Sequence, residues 1–239
     1  MRKQLLRPRD FFLVCVICLL LGAFLGMTLN PPKQPSVGYA VSMSVPAVDS
    51  RGQGVNAKLS VETRKGDGKT LANIDVLLFW VDTQQSIQAA RTVAERVSGV
   101  DTKNVDIMYE IDAGNISLVG GPSAGAALTI ATIASLQGKQ PNGNAMITGT
   151  IEENASIGAV GGVLEKARAA KAAGATVFLV PKGESVEAVT QLHENCTKEV
   201  GYVYCEKTYE KKTVNIGNET GIAVREISTI YEALPFFFT

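Results

Sequence analysis

A serine and a lysine are the residues of this chain whose types and surroundings best suit catalysis. Ser123 lies in the run Gly-Pro-Ser-Ala-Gly at positions 121–125, where a strand-like segment gives way to a helical one. A serine in such a turn can project its hydroxyl beside backbone N–H groups that lack intrahelical partners and can face a developing oxyanion. Lys166 lies 43 positions further along, where a second helical segment begins. The two side chains together suit a nucleophile and its base.

Lysine acts as a general base only while its amine is neutral. Its ordinary pKa of about 10.4 keeps almost every such side chain charged at neutral pH. Burial in apolar surroundings favours the neutral amine and lowers this pKa. Several residues near Lys166 in the sequence are apolar and could provide such surroundings: Val163, Leu164, Ala167, Ala169 and Ala170.

Three segments, taken in order, resemble the proteolytic domain of Lon proteases. They are Gly-Pro-Ser-Ala-Gly at 121–125, Ala-Met-Ile-Thr-Gly at 145–149, and Gly-Gly-Val-Leu-Glu-Lys at 161–166 with Ala-Ala-Lys at 169–171. The spacing agrees too, including the 18 positions from Thr148 to Lys166. The resemblance covers roughly residues 38–234 and is sharpest over 112–181. It implies an α+β domain with mixed sheets and packed helices, and a serine endopeptidase with a Ser123–Lys166 dyad.

The resemblance also implies supporting roles and an assembly. Thr148 matches a position that orients the lysine amine, and Gly121 and Pro122 shape the turn that carries the serine. Lon domains commonly assemble into rings, which implies a homo-oligomer such as a hexamer. Simpler interpretations remain for each residue alone, because serine is a common helix cap and threonine is common in strands.

One position departs from the family pattern. Many Lon domains carry an acidic residue immediately before the Gly-Pro-Ser-Ala-Gly run, whereas this chain has Gly120 there. Asp112 or Glu110, from the preceding strand, is the alternative source of a carboxylate. The dyad itself is intact, so activity is expected, while the source of any acidic contribution to the site is left open.

A second departure concerns ATP, which Lon proteases use through a separate ATPase module. Gly68-Lys69-Thr70 matches only the end of a phosphate-binding loop, because Thr63 stands where the first glycine belongs and a strand follows in place of a helix. We therefore expect no ATP and no other cofactor. The expected substrates are unfolded or flexible polypeptides.

The N-terminal segment predicts a membrane anchor. Residues 11–29 form an uncharged apolar run of 19, close to the length that crosses the hydrocarbon core as a helix. Residues 1–10 are basic, which favours their retention in the cytoplasm and a catalytic domain outside it. A cleaved signal peptide is the alternative, although its apolar core is usually shorter. A linker (30–37), the protease domain (38–234) and an apolar tail (235–239) complete the predicted organisation.

Apolar periodicity and turn residues predict alternating short strands and helices, which indicates an α+β fold. The predicted strands are 38–48, 56–62, 72–81, 105–111, 145–151, 156–160, 176–180 and 222–227. The predicted helices are 86–97, 124–136, 162–173, 184–193 and 229–234. Helix 124–136 is apolar nearly all round and should be buried. Residues 206–221 are polar and predict a solvated loop.

The four cysteines divide into two pairs. Cys15 and Cys18 lie in the apolar run and act there as small apolar residues. Cys196 and Cys205 lie in the domain expected outside the cytoplasm, where an oxidising compartment permits a disulfide between them.

Composition limits the other functions of the 239-residue chain. Its 23 basic and 23 acidic residues balance, so there is no electrostatic basis for nucleic-acid binding. The one histidine and the scattered acidic residues form no ligand cluster, so no metal is expected.

Two alternative functions stay open at the level of sequence. A Ser–His–acid hydrolase would also place its serine in a Gly-x-Ser-x-Gly run and would need His193, which lies in a polar segment with no glycine turn around it. A non-catalytic domain could instead bind peptides or act as a scaffold by adding a strand at an open sheet edge.

Overall fold

The computed structural model describes residues 15–20, 22, 35, 37–73, 81–114 and 121–238. The chain divides into two units, Met1–Gln34 and Pro35–Thr239. In the first unit, the described residues 15–20 and 22 are helical and exposed. The predicted segment 1–10, and most of the predicted anchor 11–29 and linker 30–37, lie outside the described residues. Within the described ranges, no helix has the length and apolar character needed to cross a membrane.

The second unit mixes strands and helices, which confirms the α+β class. Its strands are β1 Ala40–Val48, β2 Gly54–Lys65, β3 Thr70–Ala72, β4 Val105–Asp112, β5 Ala145–Ile147, β6 Thr150–Ile151, β7 Ile157–Gly158, β8 Val177–Pro181, β9 Val186–Glu199, β10 Tyr202–Asn215 and β11 Ala223–Ile227. Its helices are α1 Val81–Ser98, α2 Gly125–Gln137, α3 Val163–Ala172, α4 Ile216–Thr220 and α5 Ile230–Phe237. A 3₁₀ turn, Pro122–Ala124, precedes α2.

A four-stranded sheet forms one side of the main core. β1, β2 and β4 are antiparallel, and the short β3 pairs parallel with β4. Alternate side chains of β4 are buried, as its alternating sequence predicts: Val105, Ile107, Tyr109 and Ile111. Helix α2 packs against β1, β2 and α1, so the sheet and the two helices enclose a common apolar interior.

Helix α2 lies at the centre of this core. Every residue from Gly125 to Leu136 is buried, as expected for a helix that is apolar nearly all round. Its polar residues have local partners, since the Thr132 hydroxyl donates to the Leu128 carbonyl at 2.7 Å and lies 2.9 Å from the Tyr109 hydroxyl. The helix ends at Gly138, whose φ of 64° is a left-handed conformation that suits glycine.

A parallel sheet and helix α3 form the second cluster of buried residues. The strand order is β11-β8-β5. Apolar residues of α3 pack with Phe178 of β8 and Ile216 at the start of α4. The strand predicted over 145–151 is interrupted at Thr148 and Gly149, between β5 and β6. The predicted serine motif lies where helix α2 meets this break in the strands.

The predicted helix 184–193 and the predicted loop 206–221 are both wrong. They belong instead to a long antiparallel hairpin of β9 and β10, in which Val186 pairs with Asn215 and Glu199 with Tyr202. The segment after β10 is helix α4. The hairpin is exposed along most of its length, so its strands lack the apolar alternation that marks a half-buried strand.

Two further expectations are corrected at the ends of elements. Of the strand predicted over 72–81, Ala72 lies in β3 and Val81 begins helix α1, so the predicted end at Val81 is wrong, and residues 74–80 lie outside the described residues. The C-terminal tail is not simply exposed: Phe237 is 1% exposed and belongs to the main core, with Phe236 and Phe238 packed against it. The described part of the predicted apolar tail is therefore packed on the domain.

Candidate active site

Ser123 lies in the 3₁₀ turn that leads into α2. Gly121 precedes the turn in an extended conformation, and Pro122 occupies its first position, where a missing N–H costs nothing. The Gly125 amide closes the turn by donating to the Pro122 carbonyl. Ser123 itself is half-buried, so its hydroxyl is held at a helix start without being enclosed in the core.

The backbone of Ser123 is held by the break between β5 and β6. Its carbonyl accepts the Gly149 amide at 3.0 Å and the Thr148 hydroxyl at 3.3 Å. The Gly149 carbonyl in turn accepts the Ala126 amide at 3.0 Å. The interruption of the strand thus supplies a donor and an acceptor to the start of α2, which fixes the serine turn in place.

Two glycines permit this close approach. A Cβ on Gly125 would lie 2.7 Å from Cγ2 and 2.8 Å from the backbone nitrogen of Ile151, closer than real Cβ atoms come. Gly149 has a φ of 150°, and a Cβ there would collide with Ile157. The small residues around Ser123 therefore serve the packing of β6 and β7 against α2 as well as the turn.

Lys166 lies one turn into helix α3, with a residue exposure of 4%. The helix starts after Gly162, which has a left-handed φ of 66°, and the Lys166 amide donates to the Gly162 carbonyl at 3.0 Å. Gly54 of β2 lets the helix approach, because a Cβ at that position would collide with the Glu165 carbonyl. The lysine is thus placed by the packing of α3 directly on the backbone of β2.

Ser123 and Lys166 line the same pocket, of about 640 Å³. Its walls come from the end of β1 and the following turn, the serine turn, Thr150 of β6, and residues 159–162 before α3. Two segments 43 positions apart in the sequence are therefore brought to one cavity.

Burial shapes the chemistry of the lysine. It lowers the pKa of Lys166 to about 8, against the opposing influence of the Glu184 and Glu187 carboxylates. A pKa near 8 leaves about a tenth of the amines neutral at pH 7, far more than for an exposed lysine. No described residue forms a hydrogen bond or ion pair with the Lys166 amine. The arrangement can supply a base near neutral pH.

The two carboxylates whose charges act on the pKa of Lys166 belong to residues that the sequence did not indicate. Glu184 lies in the turn after β8 and accepts the Val160 amide at 2.9 Å. Glu187, at the start of β9, accepts the Leu164 amide at 2.7 Å and so satisfies a donor in the first turn of α3. No motif marks either position, and the segment had been predicted as a surface helix.

The acidic residues that the sequence offered lie elsewhere. Glu110 and Asp112 are exposed on β4; Glu110 accepts the Asn73 side-chain amide, and Asp112 accepts the Gly114 amide. Neither lines the pocket. Gly120 lies outside the described residues.

Thr148 is buried beside the serine turn, and its hydroxyl donates to the Ser123 carbonyl at 3.3 Å. Among the described contacts, its hydroxyl therefore supports the serine rather than the lysine amine. Lys69, in the segment that resembles the end of a phosphate-binding loop, also has an internal partner, since its amide donates to the Asp106 carboxylate at 2.7 Å.

His193 and the second cysteine pair lie on the hairpin, not in the pocket. His193 is exposed on β9, with its Nε2 3.4 Å from a carboxylate oxygen of Glu210. Cys196 and Cys205 face each other across the strands and are joined by a disulfide. Glu194 is nearby, but the bonded sulfurs cannot act as thiolate ligands.

Comparison with known proteins identifies the domain. Residues 33–223 match the Lon protease (S16) C-terminal proteolytic domain. The chain belongs to this family. The Lon proteolytic domain is a serine peptidase domain that uses a Ser–Lys dyad.

Individual Lon proteases are similar over part of their length. The Lon protease of Clostridioides difficile is 31% identical over 159 residues, which cover 64% of this chain and 20% of that protein. The archaeal Lon protease of Methanocaldococcus jannaschii is 26% identical over 165 residues, or 66% of this chain and 25% of that protein. The Lon protease of Mycoplasma pneumoniae is 41% identical over 83 residues, 34% of this chain and 10% of that protein. The chain thus corresponds to a quarter or less of each of these relatives.

Proposed function

We propose that this chain is a serine endopeptidase in which Ser123 is the nucleophile and Lys166 the general base. The observation that carries the proposal is the shared pocket, which is lined by both a half-buried serine and a buried lysine of lowered pKa. Membership of the Lon family supports the same chemistry.

The proposed reaction begins with proton transfer from the Ser123 hydroxyl to the neutral Lys166 amine. The serine oxygen attacks the peptide carbonyl, and the negative oxygen that forms is stabilised by N–H groups at the start of the turn, including that of Ser123. The lysine ammonium then gives its proton to the departing amine. Water attacks the acyl-enzyme, Lys166 takes a proton from that water, and the proton returns to Ser123 as the acid product leaves.

The proposed substrates are unfolded or flexible polypeptides, cleaved without ATP bound by this domain. The match of Gly68-Lys69-Thr70 to a phosphate-binding loop is incomplete, and the Lys69 amide is already engaged by Asp106. A folded substrate would need unfolding to reach the pocket as an extended chain. Equal cleavage of an unfolded protein with and without ATP is expected, and ATP-dependent turnover by the purified chain would contradict the proposal.

The proposed location is the membrane, with residues 11–29 as a single-span anchor and the catalytic domain outside the cytoplasm. The 19-residue apolar run and the basic residues before it support this topology. Protease added to right-side-out vesicles should digest the domain. Protection until lysis would overturn the orientation, and a mature protein that starts after Leu29 would overturn the anchor.

The proposed assembly is a homo-oligomer, with a hexamer as the expected size. The similarity to Lon proteases supports this proposal. Light scattering of the detergent-solubilised chain would measure it, and a monomer at all accessible concentrations would argue against it.

The decisive test of the chemistry is the pair of variants Ser123→Ala and Lys166→Ala. Each should lower hydrolysis of a quenched fluorescent peptide by roughly 10⁴-fold or more, because the two residues act as one unit. Lys171→Ala, at an exposed position on the same helix, is the matched control and should retain activity. Near-native turnover by Lys166→Ala would eliminate the dyad, and loss of the fold would be seen by circular dichroism. A domain that only binds peptides would resist labelling by a serine-directed probe.

A further inference from the structure

Glu184 lies in a turn that no motif marks, and it is bonded to a residue that lines the catalytic pocket. The turn follows β8 and is closed by the Glu184 amide, which donates to the Pro181 carbonyl at 3.0 Å. Gly183 within it has a φ of 86°, a left-handed conformation that suits glycine. One carboxylate oxygen, Oε1, accepts the amide of Val160, which lines the pocket together with Lys166. The side chain is therefore anchored at the edge of the site.

The other carboxylate oxygen of Glu184, Oε2, is buried and has no hydrogen-bond partner in the described part of the chain. An acceptor buried without a donor is costly, and native structures rarely keep one without a functional reason. Burial also raises the pKa of Glu184, while the hydrogen bond from Val160 and the charge of Lys166 lower it. The oxygen is thus an unused acceptor on a side chain whose charge interacts with that of Lys166.

We propose that Glu184 is a positioning residue for the dyad, whose free oxygen receives the Lys166 ammonium formed when the lysine takes the Ser123 proton. The proposal rests on the function proposed above and extends it. The proton moves from Ser123 Oγ to Lys166 Nζ, and Glu184 stays ionised throughout.

The other charged groups around Lys166 are already engaged. Glu187 is bound to the Leu164 amide. Asp49, which also lines the pocket, accepts the Gln53 amide at 2.8 Å and pairs with Arg51. On the helix of Lys166 itself, Glu165 pairs with Arg168 at 2.6 Å.

Two cationic side chains of the same helix are engaged as well. Arg168 also contacts Glu219 of α4 at 3.5 Å, and Lys171 donates to the Gly221 carbonyl at 2.9 Å. Among these groups, Glu184 is the one with a buried oxygen still free to accept. A role in holding the ammonium therefore falls to Glu184 rather than to its neighbour Glu187.

The sign of the pH effect follows from the charge. An ionised Glu184 stabilises the ammonium and raises the pKa of Lys166, so removing the charge lowers that pKa further below about 8. In Glu184→Gln the acid limb of the kcat/KM profile should move to lower pH. The plateau of kcat should fall by about 10- to 100-fold, the effect of losing one hydrogen bond to a charged group.

The matched control is Glu226→Gln. Glu226 accepts the Ser185 amide at 3.1 Å and so steadies the same turn from an exposed position. Glu226→Gln should leave the acid limb in place and change the plateau by less than about threefold. If both variants lower kcat equally and neither moves the acid limb, the role of Glu184 is structural and the proposal is wrong.

Two further measurements keep the test decisive. Glu184→Asp keeps the charge, so it should retain more activity than Glu184→Gln. If the glutamine variant does not fold, the aspartate variant can be compared with the wild type instead. Titration of ¹³C-labelled lysine methylenes in the full chain should give a lower Lys166 pKa in Glu184→Gln than in the wild type. If the Lys166 pKa is unchanged in Glu184→Gln while Ser123→Ala and Lys166→Ala are inactive, the role proposed for Glu184 is wrong and the dyad stands. If Ser123→Ala and Lys166→Ala are active, the dyad itself is wrong.

Discussion

Helix α2 and the β9–β10 hairpin are stabilised in opposite ways. Every residue of α2 from Gly125 to Leu136 is buried, and its stability comes from packing in the main core. In the hairpin, all strand residues except Glu187, Val189 and Val214 are exposed. It is held by backbone pairing along its whole length and by the disulfide near its tip.

The start of α2 tolerates few side chains, whereas the outer hairpin tolerates many. The start of α2 carries Ser123 and touches β6 so closely that a methyl group does not fit at Gly125. The hairpin contacts the rest of the domain at its base, where Val189 and Val214 pack against the second cluster. We therefore expect substitutions in α2 to affect stability and catalysis together, and substitutions in the outer hairpin to act on the hairpin alone and to leave catalysis nearly unchanged.

The largest effect should come from Gly125→Ala. The added Cβ would lie 2.8 Å from the Ile151 backbone nitrogen, so backbone must move, and overpacking of this kind costs about 1–3 kcal/mol. The serine turn would shift with it, so turnover should also fall. Thermal unfolding and peptide hydrolysis measure the two effects. Gly143→Ala is the control, since a Cβ there meets nothing within 4 Å; equal stability of the two variants would contradict the comparison.

An effect confined to the hairpin, without loss of turnover, should follow loss of the disulfide. Replacing Cys196 and Cys205 by serine removes a cross-link between positions nine apart, worth about 2–3 kcal/mol on the chain-entropy model. The loss should appear as faster amide hydrogen exchange in the outer hairpin, with exchange in α2 unchanged. Hydrolysis of a short peptide should stay at the wild-type rate. Slowed hydrolysis would show that the outer hairpin is coupled to the pocket.

The smallest effect should come from His193→Ala. The side chain is half-exposed on the hairpin and contacts only Glu210 among the described ion pairs. Turnover should stay within about twofold of wild type, because substitutions at exposed sites change free energies little. A Ser–His–acid hydrolase would instead lose nearly all activity, so a dead His193→Ala enzyme with a native melting temperature would restore that mechanism.

Sequence by itself determined the family, the α+β class and the two residues proposed as the dyad. Ser123 and Lys166 stand in short runs whose glycines and spacing carry information locally, and their segments lie at the starts of well-marked helices. Strand β4 could be predicted because burial of one face imposes a period of 2 residues, and helix α2 because its long run is apolar nearly all round, as in a fully buried helix. The cysteine pair could likewise be predicted from the expected compartment and the number of cysteines.

Only the tertiary structure decided the hairpin, the tail and the carboxylates beside Lys166. A strand exposed on both faces carries no burial pattern, and its pairing depends on a partner strand elsewhere in the chain. The burial of Phe237 depends on the space left by the rest of the main core. Glu184 and Glu187 gain their places because the turn after β8 passes the start of α3. Contacts between segments distant in sequence set the electric environment of a buried amine, and no local pattern records them.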